Sequence, residues 1–165
     1  MSHLTVSGQT SVAVQFVTER SFGSGLIRWF SHSPFSHVDL VLPSGSMLGA
    51  RLDGGVAIRP AGYEKWSVIK RVRIATRHAD AIYNAALKHE DKPYDTMAIA
   101  AFAAPWLFPR RNWRDRDRWI CSELVAWAFE RTGFFKHMPA LPVRRVTPGD
   151  VDLLLSPFAR VVSAK

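Results

Sequence analysis

Ser36-His37-Val38-Asp39-Leu40-Val41-Leu42, residues 36 to 42, is the stretch whose reading decides the fold. Val38, Leu40 and Leu42 alternate with His37, Asp39 and Val41, the period-two pattern of a β-strand with one face on a core. The second face then carries an imidazole and a carboxylate side by side, directed toward a cleft or a helix packed on that side. A single strand histidine is ordinarily a hydrogen-bonded structural residue; with Asp39 beside it, the ring has a partner able to orient it.

Outward from this strand, Pro43-Ser44-Gly45-Ser46 reads as a hairpin leading into a strand over Ser46–Leu52. Asp53-Gly54-Gly55 is a second tight turn, followed by a strand over Val56–Arg59. Val12–Val17 and Val68–Ala75 complete the strand candidates, so the middle of the chain is expected to form an antiparallel meander or barrel. Helical patterns follow over Arg77–Asp91, Thr96–Ala104 and Ile120–Thr132, the last stopped by Gly133, with a short helix after Pro148. Phe158–Lys165 reads either as an edge strand or as a frayed end. Segregated strands and helices indicate an α+β fold, and 165 residues at 47% hydrophobic suffice for one core, so residues 1–165 are read as a single domain.

The most apolar window, Met97 to Phe108, is too short to cross a bilayer and contains Pro105. It reads as a core helix ending near that proline, or as an apolar lip beside a site. The first twenty residues lack the basic start and apolar run of a secretory signal, so a cytoplasmic location is expected.

The chain has one cysteine, which excludes an internal disulfide, and its histidines and acids show no metal-ligand spacing, so no metal or cofactor is expected. Cys121 opens a helix whose stripe Cys121, Leu124, Val125, Ala128, Phe129 has the spacing of a buried face. That stripe alone describes a core thiol. The first turn of a helix, however, surrounds a thiol with unbonded N–H groups and the positive end of the dipole, which lower its pKa from ~8.5. Glu123 in the same turn opposes ionisation, but two residues on it points nearly opposite, toward the backbone or a neighbouring loop. A thiolate, an imidazole and helix N-terminal amides are the parts acyl transfer needs.

The runs Gly23-Ser24-Gly25-Leu26-Ile27-Arg28-Trp29-Phe30 and Ser33-Pro34-Phe35-Ser36-His37-Val38-Asp39-Leu40-Val41 resemble the histidine half of the permuted NlpC-type papain-like cysteine peptidases, the YiiX-like group. Lys92-Pro93-Tyr94-Asp95, Trp119-Ile120-Cys121-Ser122-Glu123-Leu124-Val125 and Thr147-Pro148-Gly149-Asp150-Val151 resemble its tyrosine, nucleophile and closing segments, in the same order. The resemblance implies a permuted papain-like fold in which the sheet packs against the helix carrying the nucleophile. It implies Cys121 as nucleophile and His37 as base, acting on a peptide, amide, or acyl or lipid substrate. It places Tyr94 beside the nucleophile, where its hydroxyl donates to substrate or oxyanion or, alternatively, is a packed and satisfied ring. Relatives supply a polar residue on the strand after the histidine, where this chain reads Met47-Leu48-Gly49-Ala50-Arg51. Asp39 is the candidate replacement, with Asp53 and a backbone carbonyl near Gly49 behind it.

A net charge of +8 implies attraction to an anionic polymer, a membrane surface or an acidic protein. Arg110, Arg111, Arg114, Arg116 and Arg118 interleave with Trp113 and Trp119, which suits phosphate contact and stacking, while Asp115 and Asp117 suit a solvated loop of paired charges. The rival to the enzyme is therefore a non-catalytic basic module that binds nucleic acid or an anionic envelope surface on the same scaffold. A Cys121 adjacent to His37 in an accessible cleft favours the enzyme; a sealed Cys121 beneath a continuous arginine face favours the module.

Overall fold

The computed structural model describes residues 4–18, 22–62, 67–103, 107, 117–136 and 146–164. Its framework is a six-stranded antiparallel sheet in the order β4-β3-β2-β1-β5-β6. The strands are β1 (Ser11–Thr18), β2 (His37–Val41), β3 (Met47–Arg51), β4 (Gly55–Arg59), β5 (Ser67–Ala75) and β6 (Ala159–Ala164). The helices are α1 (Phe22–Ser31), α2 (Ala79–Leu87), α3 (Thr96–Ala103), α4 (Cys121–Arg131) and α5 (Pro148–Leu155).

The expected meander exists over β2, β3 and β4, but the sheet is open, not a barrel. β5 crosses to the far side of β1, pairing with it along eight positions from Ser11↔Ala75 to Thr18↔Ser67. Closure would require the outer edge of β4, and that edge is already occupied. Val56 N–H donates to Lys92 C=O at 2.8 Å, and Asp91 N–H donates to Val56 C=O at 2.9 Å. The chain end, read as strand or frayed end, is the edge strand β6 on β5. Helix α1 is absent from the sequence expectations, since Gly23 and Gly25 lower its intrinsic propensity.

The alternation read in residues 36–42 holds. Val38, Leu40 and Leu42 join Val12, Val14 and Phe16 of β1 and Leu48 and Ala50 of β3 in the main apolar cluster, with Leu124, Val125 and Ala128 of α4. Val17, Val41 and Met47 are buried outside that cluster, as are Ala98 and Ala101 of α3. The second sheet face is thus buried as well, so His37 and Asp39 lie inside the molecule rather than in water. Helix α4 packs on β2 and β3, the two strands beneath the site.

No helix among the described residues is long and apolar enough to cross a membrane. Of the arginine cluster, Arg110, Arg111, Trp113, Arg114, Asp115 and Arg116 lie outside the described residues; Arg118 is exposed. Asp117 forms an exposed pair with Lys92 at 3.1 Å, an interaction that contributes little to stability.

Candidate active site

β2 brings His37 to the sheet and, two residues on, Asp39 to the same face. Their side chains meet directly: His37 Nε2 lies 2.8 Å from Asp39 Oδ1, with Asp39 fully buried and His37 nearly so. Cys121, at the start of α4, lies close enough to the ring to act on its charge. The strand histidine and its acid therefore face the thiol that opens the helix. Burial alone would depress the imidazole's pKa; the negative charges of Asp39 and Cys121, and the hydrogen bonds they make, outweigh it and lift His37 from 6.5 to about 10.

Cys121 is placed by what precedes it. Trp119 is fully buried, its ring 4.4 Å from that of His89 and 5.4 Å from that of Trp127 of α4. This aromatic anchor fixes the entry to the helix. Backbone bonds then tie it to the tyrosine segment: Trp119 N–H donates to Pro93 C=O at 3.0 Å, and Asp95 N–H donates to Trp119 C=O at 3.0 Å. Tyr94 and Trp119 thereby form a short parallel bridge. The segment is positioned from below by Gly55, whose φ is +65° and whose Cβ, if present, would lie 2.2 Å from Lys92 O. Only glycine both adopts that conformation and lets the 91–93 turn approach so closely.

The first intrahelical bond of α4 runs from Leu124 N–H to Ile120 C=O at 3.1 Å, and Ile120 supplies no side-chain cap. The N–H groups of Cys121 and Ser122 thus precede the helical ladder, at the positive end of the dipole. The Ser122 hydroxyl donates to Val146 C=O at 2.7 Å. That bond fixes the segment leading into α5, which is itself capped reciprocally by Thr147 and Asp150.

These elements line a small pocket of about 10 Å³, partly open to solvent, with the buried Cys121 and Tyr94 in its wall. The rest of the lining is mostly apolar: Ile27 of α1, Ile99 of α3, Ile120, Val146 and Pro148. Tyr94's pKa is raised, first by burial and then by the charges of Cys121 and Asp95, with Arg51 opposing and Glu123 adding. Its hydroxyl stays protonated at any pH of interest, so it can serve as a donor into the pocket. Glu123 is buried.

All four residues singled out in the sequence fall at this place: His37 bonded to Asp39, Cys121 close to the ring, and Tyr94 on the pocket wall. Asp53 does not, being paired with Arg51 at 2.9 Å on the exposed side of a turn. The carboxylate that bonds His37 comes from Asp39 on the same strand, β2. Sequence reasoning missed Gln15, a polar residue within Val12-Ala13-Val14-Gln15-Phe16-Val17 that is fully buried, opposite Asp39 across β1 and β2, and bonded to Arg71 of β5. A polar residue inside an apolar strand was the available signal. It did not single out Ile27, an ordinary helix residue whose placement depends on the tertiary fold, while Ile99 falls in the apolar window read either as a core helix or as a lip beside a site.

A scan of protein-family models and a search of curated proteins return no match for this chain. Among solved structures, the chain is similar to the metalloprotein yiiX from Escherichia coli O157:H7 (DUF1105), with a TM-score of 0.63 and 18% identity, covering 95% of this chain and 97% of that one. In this chain no group of three or more His, Cys, Asp or Glu among the described residues could hold a metal ion, and His37 is already engaged by Asp39 and Cys121. The residues present therefore do not fit a metal centre at this site. At that level of identity the likeness establishes the architecture: this chain has a YiiX-like α+β fold.

Proposed function

We propose that this protein is a cysteine hydrolase of the permuted papain-like type, acting on an amide or ester through a thioacyl intermediate. The observation that carries the reading is the bonded Asp39–His37 pair with Cys121 close enough to act on the ring's charge, at the uncapped start of a helix and on the wall of a pocket. The histidine strand preceding the nucleophile helix fits the permuted chain order. The location that fits a lone reduced thiol is the cytoplasm.

The chemistry follows from the geometry. The imidazolium of His37 stabilises the Cys121 thiolate, which attacks the substrate carbonyl carbon. A C–S bond forms and the carbonyl π electrons move onto oxygen. The N–H groups at the start of α4 and the Tyr94 hydroxyl are the donors available to that oxyanion. Collapse breaks the bond to the leaving group, which takes the His37 proton, leaving a thioester and a neutral imidazole. Water then attacks the thioester, His37 accepts its proton, and Cys121 departs as thiolate, restoring the ion pair. Asp39 holds Nε2–H throughout and so keeps Nδ1 for the thiol. The mostly apolar lining suits an uncharged acyl group beside the scissile bond.

The test is the rate of Cys121 alkylation by iodoacetamide from pH 5 to 10, followed by intact mass, in the wild type and in His37→Ala. The expected result is fast labelling already at neutral pH, lost in the variant. Slow labelling indifferent to His37 overturns the reading and directs attention to binding of nucleic acid or anionic vesicles by the basic surface.

A further inference from the structure

We propose that Gly49 is a positioning residue for this site: the space left by its missing side chain is the seat of the Asp39 carboxylate, and without it Asp39 cannot reach His37. The inference rests on the proposed Cys–His chemistry for its meaning, but not for its test.

The observation is steric. A Cβ built on Gly49 would lie 1.9 Å from Asp39 Oδ1 and 3.0 Å from its Cγ. The same Oδ1 makes the 2.8 Å bond to His37 Nε2. Any β-carbon at position 49 would thus occupy the place of the atom that orients the histidine. The backbone at Gly49 is not in the left-handed region, so its conformation admits other residues and the requirement for glycine is one of space.

Nor can the clash be relieved by moving the chain. Leu48, next to Gly49, pairs with Leu40 of β2, Gly49 itself pairs with Ala57 of β4, and Gly49 C=O accepts from Arg59 at 3.1 Å. β3 is therefore clamped between two neighbours at this position. The carboxylate is also walled on its far side. Gln15 of β1 lies directly across from Asp39, fully buried, with its amide oxygen bonded to Arg71. An aspartate has only two side-chain torsions with which to escape, and an added methyl must turn it away from His37. The charges that raise His37 come from Asp39 on its own strand and Cys121 on α4, so loss of the Asp39 bond reads out directly on the ring.

The experiment uses the full chain and no substrate. The titration of the His37 ring is followed by NMR in wild type, Gly49→Ala, Asp39→Ala and the double variant Gly49→Ala/Asp39→Ala, with thermal unfolding of each. The expected result is a His37 midpoint lowered by about one pH unit or more in Gly49→Ala, in the direction of Asp39→Ala, with the double variant no lower than Asp39→Ala alone. If Gly49→Ala does not fold, the double variant is expected to fold, because removing the Asp39 carboxyl removes the clash. A folded Gly49→Ala with an unshifted His37 overturns the proposal, and so does a double variant that fails to fold. Absence of hydrolase activity would sink the proposed function while leaving this titration result intact.

Discussion

The histidine side of the site is made of paired strands, whereas the cysteine side is made of a helix start and two connecting segments, Lys92–Tyr94 and Val146–Pro148. On the strand side, positions are fixed by hydrogen-bond register. Gly49, Asp39 and Gln15 lie in one row across β3, β2 and β1, and what each can be is dictated by its neighbour in that row. On the helix side, positions are fixed by single bonds, Trp119 to Pro93 and Ser122 to Val146, around an apolar pocket. The strand side controls protonation and the helix side controls what can approach the thiol. Substitutions in the two regions should therefore fail in different ways.

The largest effect is expected at the thiol, where the two sides meet. Cys121→Ser should reduce turnover of an activated amide or ester by roughly 10³-fold or more, because the hydroxyl is scarcely ionised at neutral pH. The melting temperature should change little, since serine nearly matches the thiol in size at this buried position. Turnover comparable to wild type in a folded Cys121→Ser protein would end the thiolate mechanism.

Next comes Asp39→Asn, which separates protonation from approach. The amide can occupy the same space but cannot hold a charge against His37, and loss of about 10²- to 10⁴-fold in kcat is expected by analogy with other histidine-orienting acids. The sign of the pH effect follows from His37. Its folded pKa of about 10 lies above its ordinary 6.5, so the stabilisation it brings is complete below pH 6.5 and lost as pH rises toward about 10. In Asp39→Asn the folded pKa falls, so both the alkaline limb of activity and the pH at which stability declines should move down. Unchanged pH profiles of activity and melting would show that Asp39 does not set the charge of His37.

The same contrast explains what was legible in the sequence. The alternation in residues 36–42 is local, and the order of side chains alone puts His37 and Asp39 on one face. The helix start at Cys121 is local too, since an apolar stripe at helical spacing begins there. Gly49 could not be read in this way: its importance depends on the register of β3 against β2, which sets Leu48 against Leu40 and is invisible within either strand. The return of β5 to β1 was equally hidden, because it pairs residues far apart in the chain, such as Ser11 with Ala75. The pocket wall from Ile27 depends on how helices pack and carries no local mark, whereas Ile99 lies in the apolar window whose two readings, core helix or lip, only the tertiary fold could separate.

On the helix side, Tyr94→Phe should lower kcat about 10²-fold, the scale of losing one oxyanion donor, with KM nearly unchanged. Burial and the nearby charges of Cys121 and Asp95 keep this hydroxyl protonated, so the alkaline limb should stay where His37 puts it. A loss confined to KM would assign Tyr94 to substrate binding rather than to the transition state.

The smallest effect on chemistry is expected from Ser122→Ala. The Ser122 hydroxyl is fully buried and spends itself on Val146 C=O at 2.7 Å, so its removal leaves a buried carbonyl with one fewer donor. The expected destabilisation is about 1–3 kcal/mol, read from urea unfolding. Because Val146 lines the pocket but makes no bond to the strand pair, KM should rise a few-fold while the His37 titration stays fixed. A shifted His37 midpoint in this variant would mean that the two sides are mechanically coupled through the start of α4, and that the division between protonation and approach is not a property of the site.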